Sequence, residues 1–231
     1  MTQPKQTEIA FFGRITAGVT HELKNVLAII NESNGLMQDL MALSKETPSY
    51  HDRFQKALTS IKGQVQRGQN LIAGLNRFAH APDTVVVTVD LFEAAVHLAA
   101  LSQRFAALKQ VTLTAVAPQP PGQPFPVTVN LVHLQMALFA AIECWLALAA
   151  PGSEISMHLS RKENSCTILL ACRGEFAAAG DPTGALAAAE KWPLLQNLAA
   201  ALGGAVEIDA REPGIVLTVP DKPPVNAQVA T

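Results

Sequence analysis

Along the first 80 positions, apolar residues recur with the period of a helix. From Phe12 onward they stand at Ile15, Val19, Leu23, Val26, Ile30, Met37 and Leu40, in steps mostly of three and four. That is the spacing of one buried stripe on an α-helix. The segment SKETPSY, with Pro48 at its centre, predicts a break. A second run, Phe54, Leu58, Ile61, Val65, Gly68, Ile72, Leu75 and Ala79, alternates steps of four and three as a heptad pattern does. Two long helices joined by a short loop predict an antiparallel hairpin. One hairpin cannot cover both stripes, whereas two copies packed as a four-helix bundle can. The pattern therefore predicts a homodimer.

HAPDT ends this pattern, and residues 81–84 read as a linker. The period then changes. VVVTVDL (Val85–Leu91) predicts a strand, Leu91–Leu108 a helix and VTLTAV (Val111–Val116) a second strand. APQPPGQPFP is a proline-rich loop. VTVN (Val127–Asn130) is short and extended. Leu131–Ala149 is a strongly apolar helix ended by Pro151-Gly152. EISMHLS and SCTILLA predict a hairpin around KEN. Residues 172–187 read as irregular. Trp192–Leu202 is a helix stopped by Gly203-Gly204, and AVEIDA with GIVLTVP predicts a closing hairpin. The expected organisation is a helical domain over residues 1–80, an α+β layered domain over 85–221 and a loose tail over 222–231.

Composition adds limits. The chain has 231 residues, a formal net charge of -2 and 16% charged residues. That balance excludes a strongly basic nucleic-acid binder. Cys144, Cys166 and Cys172 form no CxxC pair, which fits buried thiols in a reducing compartment. The most apolar stretch, Met136–Ala150, contains Glu143 and is shorter than the roughly 20 residues that span a bilayer. The start, MTQPKQTEIAFFGRIT, has no apolar leader core. The expectation is a cytoplasmic protein with neither a membrane nor a nucleic-acid partner.

The chemical signal is Val19-Thr20-His21-Glu22-Leu23-Lys24-Asn25. Val19 and Leu23 belong to the buried stripe. His21 is two residues from each, about 200° around the helix, and so points to solvent. Asn25 lies one turn later, with Glu22 and Lys24 at the flanks. Zinc is excluded here because HExxH needs a second histidine at position 25. A serine-type triad lacks a nucleophile. A neutral imidazole is itself a nucleophile, and a carboxylate can hold the proton on one ring nitrogen and leave the other free to attack. The arrangement suits phosphoryl transfer through a phosphohistidine. His51, His80, His97, His133 and His158 read as surface or half-buried side chains.

FFGRITAGVTHELKNVLAIINESNGLMQDL resembles the H-box helix of sensor histidine kinases, the dimerisation and histidine-phosphotransfer domain. RGQNLIAGLNRFAH resembles the usual end of that family's second helix. The order of strands, helices and hairpins to Pro220 resembles the family's ATP-binding domain, which implies a Bergerat-type α/β sandwich. By this resemblance His21 carries the phosphoryl group, Glu22 assists transfer and Asn25 supports dephosphorylation of a response regulator. Lys24 is expected to neutralise phosphate charge against the partner. Val26 stands where the family commonly has proline, a change that bears on helix bending.

The family holds ATP and Mg²⁺ with an asparagine-bearing helix, a DxGxG turn and a GxGxG loop. In this chain Phe139 and Glu143 take the asparagine positions. In LLACRGEF, Cys172 takes the aspartate position, Gly174 remains and Phe176 takes the second glycine. Gly184-Ala185-Leu186-Ala187 keeps one glycine of the loop. A site built to pair a polar group loses roughly 1–3 kcal/mol when that partner is gone. ATP binding is therefore expected to be lost, and no cofactor of the chain's own is expected. The expected function is a histidine phosphotransfer protein of a two-component phosphorelay. His21 would take and give a phosphoryl group between receiver-domain aspartates, and the receiver would bring the Mg²⁺. An upstream kinase is the other expected donor. The alternatives are an active kinase with a divergent nucleotide site, and a non-catalytic dimeric adaptor that binds a response regulator.

Overall fold

A computed structural model of the chain describes residues 3–43, 50–120, 122–176, 182–209 and 213–222. The expected break around Pro48, the tail beyond Lys222 and the stretch 177–181 lie outside the described residues. The architecture is α+β: two long helices, then a domain of sheet and helices. The chain divides into two units, one over residues 12–79 and one combining the residues up to Phe11 with those from His80 onward.

In the helical unit, α1 runs Gln3–Leu43 and α2 runs Tyr50–Ala79. α1 begins well before the apolar stripe that marked it in the sequence. Phe12 rings against Phe78 at 4.6 Å, Glu22 pairs with Arg67, and Ser33 meets Ser60 at 3.4 Å. Positions rise along α1 as they fall along α2, so the helices run in opposite directions. Gly68 lets them approach, since a methyl at that position would stand 3.3 Å from Val26 Cγ1. Ile15, Val19, Val26 and Leu40 are buried. The heptad pattern of α2 splits in two. Phe54, Ile61, Gly68 and Leu75 are sheltered, whereas Leu58, Val65 and Ile72 are 49%, 44% and 58% exposed.

In the second unit, β1 (Val87–Asp90) pairs antiparallel with β3 (Pro126–Val129) in a small ribbon. The main sheet has the order β2-β4-β5-β7-β6. Its strands are β2 (Thr112–Ala115), β4 (Glu154–Lys162), β5 (Ser165–Arg173), β6 (Ala205–Asp209) and β7 (Gly214–Pro220). β2 and β4 are parallel and the other neighbours antiparallel. Alternate residues face the core: Ile155 and Met157 on β4, Cys166, Ile168 and Leu170 on β5, and Ile215, Leu217 and Val219 on β7, all fully or almost fully buried. Helices α3 (Leu91–Leu108), α4 (Leu131–Leu148), the short α5 (Pro182–Ala187) and α6 (Trp192–Ala201) complete the unit.

Local chemistry sets these boundaries. Asp90 ends β1 and caps α3: its Oδ1 accepts from the Phe92 and Glu93 amides at 2.8 and 3.1 Å, and its Oδ2 accepts from the Phe125 amide at 2.7 Å. Val85 and Val86, expected in that strand, lie before it and are exposed, and Leu91 opens the helix instead. Asn130 caps α4 by accepting from the His133 amide at 3.0 Å. Gly203, at φ +72°, turns the chain out of α6. Gly204 passes so close to Thr218 that any side chain would strike its carbonyl. The expected linker contains a short 3-10 turn, Ala81–Asp83, with Ala81 buried. Within the region expected to be irregular, β5 continues to Arg173 and residues 182–187 form α5.

α4 is buried nearly all round. By length and composition it could cross a membrane, yet 72% of it is buried inside the protein. Trp145 is fully buried and donates its indole N–H to the Leu170 carbonyl at 2.8 Å, tying helix to sheet. The first residues of α1 also belong to this unit, although the sequence pattern placed them in the helical domain. Phe11 rings against Phe139 at 5.6 Å, Phe139 rings against Phe105 at 5.1 Å, and Glu8 meets His133 at 3.5 Å.

Candidate functional site

His21 lies near the middle of α1, on a turn whose inner side is held by buried Val19 and Val26. Its side chain is exposed, as are those of Lys24 and Asn25. The spacing from the buried stripe fixes this outcome, since residues two from the stripe point away from it. Three of the four residues named from the sequence therefore share an open face.

Glu22 does not share that face. Its side chain is only 13% exposed, and its Oε2 accepts from Arg67 Nη2 at 2.6 Å. The step of 100° per residue turns Glu22 from the His21 face toward α2. An i,i+1 pair on a helix does not meet face to face. The carboxylate is thus engaged by a guanidinium from the second helix, beside the histidine rather than in front of it. Sequence reasoning passed over Arg67. The signal that could have found it is the antiparallel alignment of the two stripes, which brings Gly68 to Val26 and hence its neighbour Arg67 to the His21 turn.

The second unit holds the positions where the resemblance places nucleotide contacts. Phe139 is buried in the ring cluster with Phe105 of α3 and Phe11 of α1. It serves as core there, and its ring offers no polar group to a ligand. Glu143, one turn on, is half-buried. Burial pushes the Cys144 thiol up to about 12, with the neighbouring Glu143 carboxylate adding to the effect. Burial likewise pushes the Cys172 thiol up to about 11. Cys172 therefore stays protonated and neutral at physiological pH, where the family has an ionised carboxylate.

The surviving Gly174 has a local explanation. It sits at φ +125°, and a side chain there would collide with the backbone of Ser153. Around it, the Glu175 carbonyl accepts from Ser153 Oγ and from the Ala150 amide, both at 3.0 Å. Phe176 forms a bridge with Ala149 and stacks on Trp145, with ring centroids 5.9 Å apart and planes 24° apart. Aromatic packing thus staples the segment after β5 to the end of α4. Gly184 lies inside α5, in no glycine-rich turn. Among the described residues, no three His, Cys, Asp or Glu side chains converge to hold a cation. At the positions where the resemblance places nucleotide contacts, Phe139 and Phe176 are rings in apolar contacts and Cys172 is a neutral thiol.

No family model matches the chain, nor does any curated protein sequence. Solved structures similar to it include histidine kinases and their catalytic or ATP binding domains. The nucleotide-free catalytic domain of the histidine kinase ThkA shares 11% identity over 61% of this chain and 100% of that chain, with a TM-score of 0.48. The Acinetobacter baumannii histidine kinase AdeS shares 12% identity over 87% of this chain and 98% of that chain, with a TM-score of 0.45. The ATP binding domain of PrrB from Mycobacterium tuberculosis shares 16% identity over 60% of this chain and 98% of that chain, with a TM-score of 0.45.

Proposed function

We propose that the chain is a homodimeric histidine phosphotransfer protein of two-component signalling, with His21 as the phosphoryl carrier. The observation that carries the reading is a contrast within one molecule. The HELKN turn is open, with His21, Lys24 and Asn25 exposed, whereas Phe139, Cys172 and Phe176 stand at the positions where the resemblance puts nucleotide contacts. A histidine that takes its phosphoryl group from an aspartyl phosphate needs the first feature and has no use for a nucleotide site.

In this reading one ring nitrogen of His21 attacks the phosphorus of a receiver's aspartyl phosphate. The N–P bond forms as the acyl P–O bond breaks, and the carboxylate leaves with the electron pair. The imidazole releases its proton to water. Return of the phosphoryl group to a second receiver reverses these steps. Positioning and charge stabilisation supply most of the rate. The receiver brings the Mg²⁺. Asn25, one turn from His21, is placed to orient a water or a partner group. Dimerisation would bury Leu58, Val65 and Ile72, one heptad apart on α2 and exposed in the single chain. Four helices then form the expected bundle.

A second reading, a histidine kinase with a divergent nucleotide site, is favoured by the strand and helix order of the described residues of the second unit and by half-buried Glu143. A dimeric adaptor that carries no phosphate is the third. One experiment separates them: the protein is incubated with labelled ATP and, separately, with phosphorylated receivers. Label arriving only from a receiver, and lost in His21→Gln, supports phosphotransfer. Label from ATP selects the kinase, and label from neither source selects the adaptor.

A further inference from the structure

Resting on the phosphotransfer reading, we infer that Arg67 is a catalytic residue that contacts the phosphoryl group in flight, and that Glu22 is its positioning residue. The argument starts from the asymmetry of the pair. Glu22 is 13% exposed and Arg67 53% exposed, and they meet through Nη2 and Oε2 at 2.6 Å. The carboxylate is the sheltered, anchored partner, and the guanidinium is the one that reaches water.

A guanidinium offers five N–H donors in a rigid fork, suited to two partners at once. Binding Glu22 through one amino group leaves the rest of the fork directed elsewhere. That fork stands beside the residue next to His21, on the helix across from it. An incoming aspartyl phosphate carries negative charge on the phosphoryl oxygens, and the departing carboxylate gains more as the acyl bond breaks. A fixed cation at that place lowers the cost of charge development without reorganising in the step. Lys24 lies on the exposed face of α1, but its flexible ammonium lacks the fork geometry that matches phosphoryl oxygens.

The test follows transfer from a phosphorylated receiver to the full chain under saturating and subsaturating receiver. Four proteins are compared: the wild type, Arg67→Ala, Arg67→Lys and Glu22→Gln. Arg67→Ala should lower kcat by about a hundred- to a thousandfold, the scale for removing one charge-stabilising donor, with a smaller change in KM. Its thermal midpoint and dimer mass should match the wild type. Arg67→Lys should recover part of the lost kcat by restoring charge, and Glu22→Gln should lower kcat less than Arg67→Ala does. An Arg67→Ala protein with wild-type kcat overturns the inference. So does a rate loss that tracks a lowered thermal midpoint and is not rescued by lysine. If the wild type takes label that His21→Gln loses, the phosphotransfer reading stands whatever Arg67 does. If the wild type takes none, both fall.

Discussion

Phe139→Asn puts back the residue type that the histidine kinase resemblance places on α4, and so asks whether nucleotide binding is one side chain away. The expected answer is that it is not. Phe139 is 3% exposed and packs against Phe11 and Phe105 with ring centroids 5.6 and 5.1 Å apart. Truncating a buried phenylalanine costs about 3–5 kcal/mol through lost burial and the cavity left behind. Asparagine refills part of that volume but brings an amide into a cluster of rings, where unmade hydrogen bonds cost about 1–3 kcal/mol. The net loss should be about 4 kcal/mol. For a unit of this size each kcal/mol moves the midpoint by about 2–4 °C, so the fall should be about 10–15 °C. Trp145 and Trp192 both lie in the affected unit and are buried, which makes tryptophan fluorescence the natural probe of its melting. A fluorescent ATP analogue titrated in parallel should show no gain in affinity. A midpoint within about 2 °C of the wild type, or saturable nucleotide binding by the variant, would refute the reasoning.

Two further outcomes follow from the same geometry. Val65→Glu places a charge in the exposed heptad line of α2 between Leu58 and Ile72. If the chain forms the proposed homodimer, the change should convert dimer to monomer by light scattering while helicity by circular dichroism is kept, and a variant that stays dimeric overturns the proposed seam. The second concerns the thiols. Burial, the leading cause in each, pushes Cys144 up to about 12 and Cys166 and Cys172 up to about 11, from an ordinary value of 9.0. Folded values above unfolded ones mean that the bound protons favour the fold below about pH 9, and that this contribution is lost as pH rises from 9 through 11 to 12. Denaturation midpoints should therefore fall across that window, and Cys144→Ala should shrink the fall. A profile flat to pH 11, or rapid modification of all three thiols in the folded protein at pH 8, contradicts this burial.

Much was legible in the sequence because periodicity alone reports which side of an element is buried. The step of two residues between His21 and the stripe at Val19 and Leu23 put the imidazole outside, and it is outside. The start of α3 at Leu91 and of α4 at Leu131 followed from the change of period, and Asp90 and Asn130 cap them. The apolar run of α4, which composition alone would also allow to lie in a membrane, is covered on most sides by the domain it joins.

Other features depend on which elements meet, and periodicity is silent about that. The sequence shows Glu22 and Arg67 as 45 positions apart, and only the antiparallel alignment of α1 and α2 makes them a pair and turns Glu22 from the open face. The apolar stripe begins at Phe12, but Phe11 and the turn before it join the second unit because Phe139 is there to receive a ring. Gly174 looks in the sequence like the remnant of a DxGxG turn, and its surroundings show a glycine required by Ser153. Spacing along one helix sets the direction of a side chain, because 100° per residue is a local property of the backbone. The partner that meets the side chain in that direction comes from distant chain, and packing decides it.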